Sequence, residues 1–252
     1  MQIKHKTEFE SGVIYLGDSL EILPALSENS AHVAVTSPPY NLTIDKKQSG
    51  TKVAKGAERQ FKDWYPDDLP ELVYQDQQKQ IITELMRVCD SSIFYNHKVR
   101  YAWHSRCKHR TPSSIYHPLD WISDFPIWCE IIWDRCGIGR PSSRYHVSDE
   151  RIYQIDRPVK WSNDRSLTNI WRIPPSKNEG HVCSFPLQLV ENCILPTTDE
   201  GDTVIDPYLG SGTTAVACIK HNRRFIGIEK SEKYYKLACE NIERALEQPR
   251  LL

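Results

Sequence analysis

The tightest constraint on the fold comes late in the chain, between Thr203 and Glu229. Thr203-Val204-Ile205-Asp206 is a short apolar run ending in an acid, and Pro207-Tyr208-Leu209-Gly210-Ser211-Gly212 follows it as a glycine turn. Thr213 to Lys220 then reads as a helix and Arg224-Phe225-Ile226-Gly227-Ile228-Glu229 as a second strand. A strand–helix–strand unit of this length makes two parallel neighbours. After Glu229 the sequence holds one more helical stretch, Ser231 to Glu247, so the sheet must be completed by strands from the N-terminal half. Two runs offer themselves there. Gly12 to Leu16 leads into Gly17-Asp18, and Ala31 to Val35 leads into Thr36-Ser37-Pro38-Pro39-Tyr40, with a short amphipathic helix from Ser19 to Leu26 between them.

The glycine turn has its own chemistry. Glycines let the backbone approach a ligand, and an acid closing the second strand is the ribose-diol partner of nucleotide-binding units. Glu229 stands 19 residues after Gly210, close to the spacing that geometry needs. No Gly-Lys-Ser/Thr is present, so the turn is not an ATP phosphate loop. Asp206, just before the glycines, opposes a pyrophosphate and suits a ligand with positive charge beside a ribose. S-Adenosylmethionine has that pattern: an adenosine, an ammonium and a sulfonium. Asp18, closing a third strand on the same edge, is in place for the adenine amino group.

The second centre is Thr36-Ser37-Pro38-Pro39-Tyr40. Neither proline has an N–H and each fixes φ, so a strand cannot run through them. A hydroxyl, bare carbonyls and an aromatic face are left on a stiff turn at the strand's C-terminal edge, suited to gripping a flat polar group. A turn that merely ends a strand is the competing reading of these five residues.

At 252 residues, with 39% hydrophobic and 26% charged residues, the chain reads as one ordinary globular domain. The net charge of −1 excludes a uniformly basic protein, so any nucleic-acid footprint is local. No apolar run reaches a membrane span and the N-terminus lacks a signal-peptide pattern. Eight cysteines without a Cys-x-x-Cys pair read as buried, reduced thiols of a cytoplasmic protein, with no zinc site.

Residues 41–62 read as a mobile basic loop. Lys46, Lys47, Lys52, Lys55, Arg59 and Lys62 face only Asp45 and Glu58 there, which fits closure over a polyanion. Leu69 to Val88 reads as a helix with Leu72, Ile81, Ile82, Leu85 and Val88 on its apolar side, followed by a strand from Ser91 to Asn96. In 100–110, Arg100, Arg106, Lys108 and Arg110 interleave with aromatics, which suits either a phosphate backbone with exposed bases or the charged face of a helix. Pro126 to Trp133 reads as a strand. Residues 134–175 read as a small recognition insertion with a strand at Glu150 to Ile155, and Arg135, Arg140, Arg144, Arg151, Arg157 and Arg165 are its candidate guanine readers.

Taken in order, Gly17-Asp18, Thr36-Ser37-Pro38-Pro39-Tyr40-Asn41, His181-x-x-x-Phe185-Pro186, Asp206-Pro207-Tyr208-x-Gly210-Ser211-Gly212-Thr213-Thr214 and Gly227-Ile228-Glu229 resemble the β-class amino-methyltransferases of DNA. These are bacterial and phage enzymes, often of restriction–modification systems. The resemblance spans the chain except for 41–62 and 134–175. It implies an α/β, Rossmann-like methyltransferase fold with circularly permuted motifs, a mostly parallel sheet and helices on both faces.

By the same resemblance, Ser37 and the Pro38 carbonyl accept hydrogen bonds from the exocyclic amine of a flipped base. Pro39 completes that turn and Tyr40 stacks on the base. Asp206, Tyr208, Gly210, Gly212 and Thr213 line the methionine end of S-adenosylmethionine, Glu229 holds the ribose, Asp18 the adenine, and Phe185 and Pro186 close the pocket. The family usually has Pro at 183 or 184 and Phe at 208, where this chain has Cys183, Ser184 and Tyr208. Duplex DNA is the implied partner, with a cognate endonuclease and a second copy of the chain as further candidates. Ser-Pro-Pro-Tyr leans towards cytosine N4. Adenine N6 remains the alternative, with an inactive cofactor- and DNA-binding module behind it and RNA or protein as other substrates.

Overall fold

Strands from both ends of the chain build one sheet. The structure, a computed structural model, describes residues 4–41, 69–103, 112–137, 147–158, 168–175 and 186–247. In chain order the elements are β1 (His5–Phe9), β2 (Gly12–Leu16), α1 (Ser19–Ile22), β3 (Val33–Thr36), α2 (Glu71–Val88), β4 (Ile93–His97), β5 (Arg100–Trp103) and β6 (Pro112–Tyr116). There follow α3 (Leu119–Ile122), β7 (Ile127–Asp134), β8 (Asp149–Ile155), β9 (Ile170–Arg172), α4 (Leu187–Ile194), β10 (Thr203–Asp206), α5 (Thr213–Lys220), β11 (Arg224–Glu229) and α6 (Glu232–Glu247).

Among the described residues the main sheet runs β1-β2-β11-β10-β3-β4-β8-β7-β9, and β5 and β6 form a separate hairpin. The block from β2 to β4 is parallel throughout. β10 lies beside β3 with Val204 opposite Val33, and β11 lies beside β2 with Phe225 opposite Gly12. The N-terminal strands therefore complete the sheet begun by the C-terminal unit, as the chain order requires. β1, β8 and β7 are joined antiparallel, so the sheet is mixed but mostly parallel.

Side chains alternate along these strands into two apolar layers. Val33, Val35, Val204 and Phe225 point to a layer closed by α4, α5 and α6. Ala34, Ile205, Ile228, Ile93 and Tyr95 point to the opposite layer, closed by α1, α2 and α3. α2 buries Tyr74, Gln78, Ile81, Ile82, Leu85 and Val88, a stripe at helical spacing. Leu72, expected on that stripe, is 79% exposed because it falls a residue out of phase with it.

One further expectation is corrected. Arg100 to Trp103 is a strand, so the helix with a charged face is excluded for those residues. Within the 134–175 stretch, β8 and β9 are strands of the main sheet. Of the described cysteines, Cys89, Cys193 and Cys218 are buried, Cys129 and Cys239 half-buried, and Cys136 exposed. Among the described residues no helix is long and apolar enough to cross a membrane.

Gly12 is where β2 meets β11 most closely. A Cβ there would lie 2.2 Å from the Phe225 carbonyl oxygen and 2.7 Å from its ring. Gly12→Ala should therefore cost about 1–3 kcal/mol in urea denaturation; an unchanged midpoint would contradict the close approach.

Candidate active site

Parallel pairing of β3 with β10 brings both sequence centres to one sheet edge. Thr36, fully buried, donates its Oγ1 hydrogen to Asp206 Oδ1 at 3.1 Å across 170 residues of chain. Asp206 also accepts from the Tyr208 N–H at 3.0 Å and from Thr214 Oγ1 at 2.7 Å. One carboxylate thus ties the Pro-Pro turn, the glycine turn and the start of α5 together. Burial pushes its pKa up to about 6, against the lowering effect of these donors, Thr214 first. At 3% exposed, Asp206 is an internal clamp of this edge.

The glycine turn is wound tightly. Gly210 and Gly212 have φ of 57° and 91°, in the left-handed region where a side chain is strained. Gly212 begins α5, where a Cβ would press on Ala238 at 3.3 Å, and Thr213 is the first, half-buried helical residue. The half-buried Tyr208 accepts at its hydroxyl from Gln78 Nε2 at 3.4 Å, a link to α2.

Glu229 closes β11 and is 8% exposed. Its carboxylate accepts from the N–H groups of Gly210, at 2.9 Å, and Ser231, at 2.7 Å. Each oxygen retains a lone pair for a further donor. Burial raises its pKa to about 7, opposed first by the Ser231 and then by the Gly210 N–H bonds. Asp18 follows β2, the parallel neighbour of β11, so it shares this edge. Its carboxylate caps α1 through the Leu20 N–H at 3.0 Å and pairs with Lys230 Nζ at 2.7 Å. Pro186 is the N-cap of α4.

On the other side of the clamp, Ser37 Oγ and Tyr40 Oη are 2.7 Å apart. Asn96, on β4, donates its amide to both. The Tyr40 ring rests against His97, centroids 4.7 Å apart, with Lys98 Nζ 5.2 Å from its centroid. Tyr74 donates to the Pro39 carbonyl at 2.9 Å, fixing the turn from beneath. His97 is fully buried between the Tyr74 hydroxyl and the Lys98 carbonyl, and burial, helped by the nearby Arg100 charge, holds its pKa well below the usual range.

Tyr40 also donates to Glu150 Oε2 at 2.9 Å. Asn96, His97, Tyr74 and Glu150 carried no signal as site residues; Glu150 reaches this edge because β8 pairs antiparallel with β4. Arg100, expected on DNA, is 3% exposed and forms a two-pronged pair with Glu71 at 2.6 and 2.7 Å. Arg157 donates to the Asp90 carbonyl beside the N-terminal end of β4, so it sits at the opposite edge of the sheet. Arg151 pairs with Asp149 at 3.2 Å. Phe185, Lys46, Lys47, Lys52, Lys55, Arg106, Arg140 and Arg144 lie outside the described residues.

A family model described as DNA methylase, covering N6 and N4 methyltransferases, matches residues 156–240. The Bacillus subtilis type II methyltransferase M.BglI is 51% identical over 142 residues. Both similarities are to DNA methyltransferases. That match takes in 51% of this chain and 39% of its relative's length. Among solved structures, TTHA0409 of Thermus thermophilus, a putative DNA modification methylase complexed with S-adenosyl-L-methionine, superposes with a TM-score of 0.67. It is 22% identical, over 94% of this chain and 95% of its own. The PvuII DNA methyltransferase, described as cytosine-N4-specific, also gives 0.67, at 19% identity over 95% and 94%. Both superpositions establish the Rossmann-like fold of this chain.

The two raised carboxyls, Asp206 and Glu229, make the stability of the chain depend on pH. An acid whose folded pKa is raised contributes stability that is full below its unfolded value, near 3.8 for Asp206 and 4.5 for Glu229. That contribution is lost as pH rises through about 6 and about 7 respectively. Chemical denaturation of the ligand-free chain should show stability falling from pH 4.5 to 7.5, by about 2–3 kcal/mol per carboxyl. Asp206→Asn and Glu229→Gln should each remove their share of the slope; an unchanged slope would refute the burial cost.

Proposed function

We propose that the chain transfers a methyl group from S-adenosylmethionine to the exocyclic amine of a base flipped out of duplex DNA, cytosine N4 ahead of adenine N6. The Thr36–Asp206 hydrogen bond carries this reading, since it holds the Pro-Pro turn and the glycine turn side by side on one edge. The names of the relatives and of the two solved structures support the reaction class.

S-Adenosylmethionine supplies an electrophilic methyl on a sulfonium. In this reading the glycine turn admits the methionine end, Glu229 accepts the ribose hydroxyls with its spare lone pairs, and Asp18, released by Lys230, takes the adenine amine. Phe185 and Pro186 border the pocket. Extracting the target base costs a few kcal/mol of stacking and pairing. The Tyr40 face recovers part of it, with Lys98 moving off the ring. An exocyclic amine is a weak nucleophile because its lone pair is delocalised into the ring. Hydrogen bonds from its N–H groups to Ser37 Oγ and the Pro38 carbonyl favour a pyramidal nitrogen and aim the lone pair at the methyl. Catalysis is thus positioning with electrostatic help. Lys46, Lys47, Lys52, Lys55, Arg106, Arg140 and Arg144 are the proposed DNA contacts, and a cognate endonuclease and a second copy of the chain are proposed partners.

The test is tritium transfer from labelled S-adenosylmethionine to unmodified bacterial DNA, with the product nucleoside identified after digestion. N4-Methylcytosine is expected; N6-methyladenine would move the base assignment, and label on RNA or protein alone would overturn the DNA reading. Ser37→Ala should lower turnover far more than cofactor affinity, whereas equal losses would count against its role. Cofactor affinity, measured by calorimetry, should rise with pH through about 7 as Glu229 ionises, and Glu229→Gln should flatten that rise.

A further inference from the structure

A buried acid that the proposed reaction does not use stands behind the Pro-Pro turn. Glu150, at the start of β8, is 6% exposed. Its Oε2 accepts from Tyr40 Oη at 2.9 Å and from Asn96 Nδ2 at 3.0 Å, while Oε1 pairs with Arg135 Nη1 at 2.9 Å. Paired with Arg135, the carboxylate only accepts, and that orders its neighbours. The Asn96 amide must turn its NH2 towards Glu150, since an oxygen 3.0 Å from a carboxylate would be repelled. It does so although its Oδ1 is left without a partner among the described residues.

With Asn96 acting only as a donor and Glu150 only as an acceptor, the hydrogens between them have one consistent direction. Tyr40 gives its hydrogen to Glu150, and Ser37 gives its own to Tyr40. Ser37 Oγ then keeps a lone pair pointing out of the cluster, the acceptor that an incoming amine requires. The same chain of hydrogens leads from Ser37 to a carboxylate.

We propose that Glu150 takes up the proton that the methylated amine releases, through Ser37 and Tyr40, and that it fixes Ser37 as an acceptor before the base arrives. The inference rests on the proposed transfer to an exocyclic amine. In the transfer the nitrogen–methyl bond forms as the donor's carbon–sulfur bond breaks, leaving a neutral thioether and a protonated amine. That amine gives its proton to Ser37 Oγ, the Ser37 hydrogen passes to Tyr40 Oη, and the Tyr40 hydrogen passes to Glu150 Oε2. The product amine is neutral and Glu150 is a carboxylic acid. Arg135, 39% exposed in its side chain, borders the route by which that proton returns to water.

Single-turnover tritium transfer to unmodified bacterial DNA tests this, with wild type, Glu150→Gln, Tyr40→Phe and the double variant compared from pH 5 to 9. Glu150→Gln should slow transfer by about 10²- to 10⁴-fold and leave S-adenosylmethionine affinity within twofold. Tyr40→Phe keeps the ring but cuts the relay, so it should lose a comparable factor, and the double variant little more, because one path is broken twice. A Glu150→Gln rate within threefold of wild type, or losses that multiply in the double variant, would overturn the inference and leave the methyltransferase reading intact. If Glu150→Gln does not bind S-adenosylmethionine, Tyr40→Phe decides alone, and a wild-type rate profile there would overturn it. A wild-type chain transferring no label to DNA would overturn the proposed function, and this inference with it.

Discussion

The site depends on one buried hydrogen bond, from Thr36 to Asp206. Burying a carboxylate is costly unless donors surround it, and Asp206 is supplied by Thr36, Thr214 and the Tyr208 N–H. Each donor comes from a different part of the edge, so satisfying this one group fixes the relative position of two turns far apart in sequence. The parallel register of β3 against β10 sets the coarse spacing, and the carboxylate sets the fine spacing.

The two halves of the edge are built from different materials. On the glycine-turn side, backbone N–H groups and glycines dominate, with Glu229 and Asp18 as the acids at the strand ends. Behind the Pro-Pro turn, side chains dominate. Tyr74, His97, Asn96 and Glu150 hold the turn by its carbonyl, its ring and its hydroxyls. A turn without N–H groups in its prolines cannot be fixed by a strand ladder, so its rigidity comes from these neighbours. The buried Arg100–Glu71 pair supports the same region by joining β5 to the first turn of α2 and stacking Arg100 over Tyr74.

Where reading by composition failed, the cause was tertiary. Arg100 sits in a basic, aromatic stretch that suits a phosphate path, yet Glu71 and three aromatic rings enclose it. β8 runs inside the main sheet between β4 and β7, yet its buried positions include Glu150 and Gln154, so its pattern reads as less apolar than its place demands. Leu72 fits an apolar pattern by type but not by angle, since Tyr74 and Gln78 take the inward face.

The sequence by itself determined the parallel core, the glycine turn with its closing acid, and the Pro-Pro turn. Those features are local, and glycine, proline and alternation have fixed backbone consequences. That the two turns share an edge follows from the parallel pairing of β3 with β10. Tertiary structure alone decided that Asp206 is a clamp, that Arg100 is sequestered, and that Glu150 stands behind Tyr40. An antiparallel strand returns residues to the edge from which the chain came, and no spacing rule in the sequence records where it will land.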